Sequence, residues 1–251
     1  MIAIHHRVAD VRAWFQDLKE RGEYVVDKTG CKMLEVVGAT FIADEEAIFG
    51  TVNRDYVDRE IEWYRSMSRN VNDIPGGPPK AWVAAADPDG KINSNYGWAI
   101  WSAGNFEQYE NVLKELKENP ESRRGVMIYT RPSMWEEYNA NGMSDFCCTN
   151  DIQYLIRDGK LVSIVDMRSN DVWAGYRNDY AWQDYVRKML ANDLGVELGQ
   201  MIWHVGSLHC YERNFYLIDG FIKTGRHDLT LNEYKSLENL DTNNLIDGDN
   251  K

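Results

Sequence analysis

The run IQYLIRDGKLVSIVDMRSND, residues 152–171, constrains the fold of this chain more than any other stretch. Two apolar, β-branched runs flank Asp158-Gly159. That dipeptide suits the two positive-φ positions of a type I′ turn, so the run reads as a tight β-hairpin. Any fold for this chain must therefore be built around a sheet.

Helices are spaced along the rest. VADVRAWFQDLKERG has helical apolar spacing and ends in glycine. DYVDREIEWYRSMSRN and NFEQYENVLKELKEN are amphipathic, the latter through Phe106, Tyr109, Leu113 and Leu116. YAWQDYVRKMLANDLG is a helix with a glycine stop. YVVDKTGCKMLEVVGATFIAD reads as strand, turn, strand; RRGVMIYTR reads as a strand; QMIWHVGSLHCYERNFYLIDGF begins as one. VNDIPGGPPKAW reads as a loop because of its glycines and prolines. The stretch NEYKSLENLDTNNLIDGDNK loses apolar periodicity, and roughly the last 20 residues are expected to fray.

The chain has 251 residues and shows no internal repeat, low-complexity tract or linker, so one α+β domain over residues 1–251 is expected. Its formal net charge of −12 argues against a broad nucleic-acid surface and leaves room for a local basic pocket holding a small anion. No apolar run is long enough to span a bilayer, and MIAIHHRVADVRAWF is too charged for a signal peptide. A cytoplasmic location is the expectation. Cys31, Cys147, Cys148 and Cys210 fit neither a zinc spacing nor a disulfide framework, so no metal is expected.

Five features stand out, and each has an ordinary explanation. Cys147-Cys148 precedes the hairpin, yet a cytosolic cysteine is by default a small buried residue. Arg123-Arg124 could fork onto a phosphate, yet such pairs are commonly surface ion-pair clusters. MRSNDVWAGYRNDYAW crowds Arg168, Ser169, Asp171, Arg177, Asn178 and Asp179 between a strand and a helix; a polar loop capped by Asn178 or Asp179 would look the same. His209 and Tyr211 in GSLHCY suit a strand core or surface equally well, and Glu60 and Glu62 in REIEWY suit a solvated helix face.

The order of these features is more specific than any one of them. Glu-x-x-Trp, an Arg-Arg pair, a cysteine before a hairpin, Arg-Ser-x-Asp and His-x-Tyr together resemble the thymidylate synthase family, from about DKTG to LHCY. The chain departs from the synthases in reading CCT where they have Pro-Cys-His, RND where they have Pro-Phe-Asn, and LIDGDNK in place of an apolar tail. Those departures, with INSNYGWAIWS, MIYTRPSM, QYLIRD and RNDYAWQ, are similar to the hydroxymethylase branch of the family in T-even-type bacteriophages.

The resemblance implies a thymidylate synthase fold: an α+β domain with a mixed sheet packed by helices, and a sheet face buried in a homodimer. It implies a transferase that moves a one-carbon unit from 5,10-methylenetetrahydrofolate to carbon 5 of dCMP and adds water. The products would be 5-hydroxymethyl-dCMP, for modified phage DNA, and tetrahydrofolate. Carbon 5 of a pyrimidine is a poor nucleophile, and a thiolate adding to carbon 6 activates it. By the same likeness Cys148 is that thiol and Cys147 packs, since adjacent strand residues face opposite ways. Glu60 would manage protons and ordered water. Lys28, Arg168 and Ser169 of one subunit, with Arg123 and Arg124 of the partner subunit, would hold the phosphate. Lys28 replaces the family's arginine and cannot fork. His209 and Tyr211 would bond the sugar 3′-hydroxyl, Asn178 would lie beside the nucleotide, and Trp82, Tyr96 and Asp171 would line the folate region.

The base-reading position is the most instructive. Uracil offers an N3 donor beside an O4 acceptor, which an asparagine side chain complements. Cytosine offers an N4 donor and an N3 acceptor that gains a proton in the activated ring, and a carboxylate can accept from both. The resemblance aligns the family's asparagine with Asp179, so the implied substrate is dCMP. Two alternatives remain at this point: a thymidylate synthase or dUMP hydroxymethylase, which Asp179, Thr149 and the tail disfavour, and a non-catalytic nucleotide- or RNA-binding descendant, which the intact chemical residues disfavour.

Overall fold

The computed structural model describes residues 4–248. In chain order the elements are α1 (Val8–Arg21), β1 (Val25–Val26), β2 (Lys32–Ile42), α2 (Arg54–Ser66), α3 (Lys80–Ala85), α4 (Tyr96–Trp101) and α5 (Gln108–Glu118). Then follow β3 (Val126–Ile128), α6 (Met134–Glu137), β4 (Thr149–Arg157), β5 (Lys160–Asp171), α7 (Ala174–Leu194), β6 (Glu197–Tyr211), α8 (Phe215–Thr224) and α9 (Leu231–Gly248). The six strands form one sheet in the order β1-β2-β6-β5-β4-β3. Only β5 and β6 run parallel. A parallel neighbour needs a crossover, and α7 supplies it.

The predicted hairpin is β4–β5, with Arg157 opposite Lys160. Asp158 and Gly159 both take positive φ, 52° and 73°, as a type I′ turn requires. On β5 the residues Leu161, Ser163, Val165 and Met167 are buried under helices. In register beside them stand Met201, Trp203 and Val205 of β6, and Phe41 of β2 lies opposite Trp203. Tyr176 of α7 packs its ring on Phe41 and Trp203, at 5.9 and 5.2 Å between centroids. Alternation leaves Val162, Ile164, Asp166 and Arg168 on the opposite face. There Thr40 bonds His204 at 2.7 Å, and Asn150 donates to Asp166 at 2.6 Å. That face is only half-buried in a single chain.

Three local expectations change. Residues 71–82 are not all loop: α3 starts at Lys80 on Pro79, because a proline's missing N–H costs nothing at a helix start. Asn178 and Asp179 are not caps, since α7 begins at Ala174 and carries both inside its opening turns. Where fraying was expected, α9 runs over Leu231–Gly248; residues 249–251 lie outside the described part of the chain. Among the described residues no helix is long and apolar enough to cross a membrane.

Candidate active site

The lead-in to β4, the end of β5 and the start of α7 meet at one end of the sheet, and α2, α3 and α4 wall it in. The cavity between them measures about 640 Å³. Cys148, Glu60, Asp179, Asn178, Trp82, Tyr96 and Asp171 all line it. Residues scattered over more than a hundred positions of sequence are thus brought to one place.

Cys148 stands immediately before β4, and its carbonyl accepts the backbone N–H of Arg168 at 2.9 Å. The Arg168 side chain grips the same segment: Nε donates to the Cys147 carbonyl at 2.8 Å and Nη2 to the Phe146 carbonyl at 2.6 Å. That nitrogen also lies 3.8 Å from Cys148 Sγ. Burial pushes the Cys148 thiol up to about 11, and Arg168 opposes that shift. Cys147 is buried in the core, with the Ser94 hydroxyl 3.3 Å from its sulfur. Burial drives its thiol well above the usual range. The two neighbours therefore differ as expected: one faces the cavity and the other packs.

Glu60 is a buried carboxyl on α2. Its Oε1 accepts from Tyr56, one turn earlier, at 2.5 Å and from the Trp82 indole N–H at 2.9 Å. Burial raises its pKa, and the bonds from Tyr56, Trp82 and Tyr64 oppose that. Tyr96 opens α4, whose first turn is capped by Asn95 accepting from Trp98 N–H at 2.7 Å. The Tyr96 ring stacks on Tyr64 at 5.2 Å. A Cβ on Gly97 would stand 1.8 Å from the Tyr64 carbonyl oxygen, so only glycine lets α4 press this closely on α2.

Asp179 projects from α7, and Asn170 Nδ2 donates to its Oδ2 at 2.8 Å. Burial pushes the Asp179 carboxyl up to about 8, helped by the charge of Glu60 and opposed by the bonds from Asn170 and Tyr96. Asp171, at the end of β5, accepts the Trp173 N–H at 2.9 Å and turns the chain into α7. The Asn178 Oδ1 is buried and makes no bond among the described residues.

Other expected site residues lie outside this lining. Arg168 and Ser169 sit on β5 beside it, Arg168 engaged as described. His209 and Tyr211 share a face of β6, rings 4.8 Å apart, and His209 stands in register with Asp171. Lys28 is exposed in the β1–β2 turn. Arg123 and Arg124 are exposed ahead of β3, and Arg124 pairs with Glu115 at 2.8 Å, so one chain alone does not bring them to the cavity. Arg177, noted in the sequence as part of a polar cluster, also lines the cavity, whereas Tyr56, Tyr64, Asn170, Arg59 and Arg213 were not anticipated. Tyr56 and Tyr64 each lie one helical turn from Glu60 on α2, so helical spacing announces both.

The sequence matches the family described as thymidylate synthase over residues 12–246. It is 56% identical over 224 residues to the deoxycytidylate 5-hydroxymethyltransferase of Enterobacteria phage T4, covering 86% of this chain and 91% of that one. Against the protein of the same description from Enterobacteria phage T6 it is 56% identical over 225 residues, covering 87% and 91%. A thymidylate synthase of Corynebacterium aurimucosum is 29% identical over 202 residues, 76% of this chain and 74% of that one. Among solved structures, the thermostable thymidylate synthase A of Bacillus subtilis superposes with a TM-score of 0.66 at 23% identity, over 89% of this chain and 86% of that one.

Proposed function

The chain belongs to the thymidylate synthase family, and from that premise we propose that it hydroxymethylates dCMP at carbon 5, taking the one-carbon unit from 5,10-methylenetetrahydrofolate and adding water. The observation that carries this reading is the meeting of Cys148, Glu60 and Asp179 from three separate elements around one cavity. The relatives described as deoxycytidylate 5-hydroxymethyltransferases support the choice of reaction.

Cys148 Sγ adds to carbon 6 of the ring. Its thiol rests protonated, and Arg168 favours the thiolate that the step needs. Asp179, pushed up to about 8, is mostly neutral at pH 7. A neutral carboxyl donates its O–H to the unprotonated N3 of cytosine and accepts from the N4 amino group. As sulfur adds, the proton passes to N3, leaving an aspartate that accepts from both positions. Carbon 5 is then nucleophilic. Glu60, held by Tyr56 and Trp82, moves protons at carbon 5 and orients the added water.

The folate supplies the electrophilic carbon. The cavity fits it in size and lining: Trp82, Tyr96, Pro79 and Ala81 offer aromatic and apolar wall, and Asp171 offers an acceptor. The phosphate would meet Lys28, Ser169 and the edge of Arg168 not used on the Phe146–Cys147 carbonyls. Arg123 and Arg124 of the partner subunit would complete it in a homodimer joined across the half-buried sheet face. His209 and Tyr211 would take the 3′-hydroxyl. The setting would be the cytoplasm of a phage-infected cell, where free nucleotides are found.

The test is a mass-spectrometric product assay with methylenetetrahydrofolate and either dCMP or dUMP. A dCMP product heavier by one hydroxymethyl group, with tetrahydrofolate released, supports the reading. A methylated product with dihydrofolate would replace it with a synthase.

A further inference from the structure

We propose that Asn170 sets the base selectivity of the site as a positioning residue, by fixing which oxygen of Asp179 carries the proton. The inference rests on the hydroxymethylase reading above. A neutral carboxyl group does not by itself distinguish cytosine from uracil. With its proton on one oxygen it donates to cytosine N3 and accepts from N4–H. With the proton on the other oxygen it donates to uracil O4 and accepts from N3–H. Moving one proton between two oxygens of the same group would therefore change the base that is read.

Asn170 breaks that symmetry. It is the penultimate residue of β5, is 3% exposed, and reaches across to α7, where Nδ2 donates to Asp179 Oδ2 at 2.8 Å. An amide N–H can only donate, and a carbonyl-type oxygen accepts it better than a hydroxyl oxygen. The acid proton is thus directed to Oδ1, and Oδ2 remains the acceptor. For a base bound with N3 beside Oδ1 and N4 beside Oδ2, the orientation this proposal takes, that is the arrangement cytosine requires. Uracil would need the proton on Oδ2, against the amide.

The packing supports a dedicated role. A Cβ on Gly175 would lie 3.1 Å from Asn170 Nδ2 and 3.3 Å from Asp171 Cβ, so glycine in the opening turn of α7 makes the room in which the amide reaches the acid. Asn170 is not itself a wall of the cavity, so its effect passes through Asp179. Glu60 and Tyr64 from α2, Tyr96 from α4, Cys148 ahead of β4 and Asp171 at the end of β5 also bear on this part of the cavity, and all are retained in the variants below.

The experiment compares wild type with Asn170→Ala and with Asn170→Leu, which keeps nearly the original volume should the smaller side chain fail to fold. It measures kcat/KM for dCMP and dUMP, the dissociation constants of both nucleotides by calorimetry, and the titration of the Asp179 carboxyl carbon by NMR. The expected result is a fall of about tenfold or more in the dCMP-to-dUMP ratio, in turnover and in binding. The Asp179 titration should move to higher pH, because a bond favouring the ionised form is gone. A folded variant with the wild-type ratio and titration overturns the inference and leaves the function standing. A wild-type protein that turns over no dCMP overturns the function, and the inference with it.

Discussion

Arg168 and Cys148 are joined twice: the arginine backbone N–H meets the cysteine carbonyl at 2.9 Å, and its Nη2 stands 3.8 Å from the cysteine sulfur. One residue thereby holds the proposed nucleophile in place and supplies a positive charge that favours its thiolate. Burial works against that charge and leaves the thiol at about 11. Labelling by a small alkylating agent should therefore fall on Cys148, facing the cavity, long before Cys147, and should accelerate with pH toward a midpoint of about 11. Arg168→Ala should move that midpoint higher and lower kcat/KM by about a hundredfold or more. Mass-spectrometric mapping of the labelled peptide against pH checks both.

The charge of Glu60 is, after burial, the largest cause that raises Asp179. Glu60→Gln should for that reason lower the Asp179 pKa from about 8 as well as remove the group proposed to handle protons and water. The expected outcome is a drop in kcat of about 10²–10⁴-fold, with a smaller change in the binding of dCMP. Carboxyl NMR of the variant should show Asp179 titrating below its wild-type midpoint; an unmoved midpoint would mean the two acids do not sense one another.

Asp179 also weighs on stability. Its carboxyl is raised from 3.8 to about 8 in the folded chain. Between those values the unfolded chain has released the proton and the folded chain still holds it, so stability declines as pH rises through that window and levels off above it. Asp179→Asn removes the titration. Its melting temperature should exceed that of wild type by a margin that grows from pH 4 to pH 8, at roughly 2–4 °C for each kcal/mol recovered. The same substitution should turn preference from dCMP toward dUMP. Calorimetric melting across pH and a two-nucleotide assay separate the effects.

Gly97 is where the wall of the site is least forgiving. Its added methyl would meet the Tyr64 carbonyl at 1.8 Å, a contact with backbone that no rotamer change relieves. Gly97→Ala should destabilise the chain by about 3 kcal/mol or more and disturb the stacking of Tyr96 on Tyr64. A urea titration followed by tryptophan fluorescence measures the loss, since Trp63, Trp82 and Trp101 lie close by.

What could be read in advance follows from how local each signal is. The β4–β5 hairpin was legible because Asp158-Gly159 encodes its own turn. The start of α7 was not, because Trp173 at its cap makes no side-chain capping bond and Asp171 does the turning from outside the helix. α3 was hidden behind Pro79, which reads as a breaker but begins the helix. Cys148, Glu60 and Asp179 were reached through family resemblance and do share a cavity. Asn170 carries no sequence signal of its own: it matters through a contact with Asp179 that exists only after β5 and α7 have packed.

The arginines left outside the cavity yield the last prediction. Arg123 and Arg124 are exposed and do not line the cavity that holds Cys148, while a half-buried sheet face remains to be covered. If two chains join there and each completes the other's phosphate site, the Arg124→Ala and Cys148→Ser variants fail for different reasons. The first lacks an arm for its partner's site; the second lacks a nucleophile in its own. Each variant alone should be nearly inactive. In a mixed dimer, one site would pair an intact Cys148 with the intact Arg124 of the partner subunit. Mixing the two under conditions that exchange subunits should therefore restore dCMP turnover, with sedimentation showing dimers throughout. Dimers without regained activity would mean that the arginines do not cross the interface. Active monomers would mean that the site is complete within one chain.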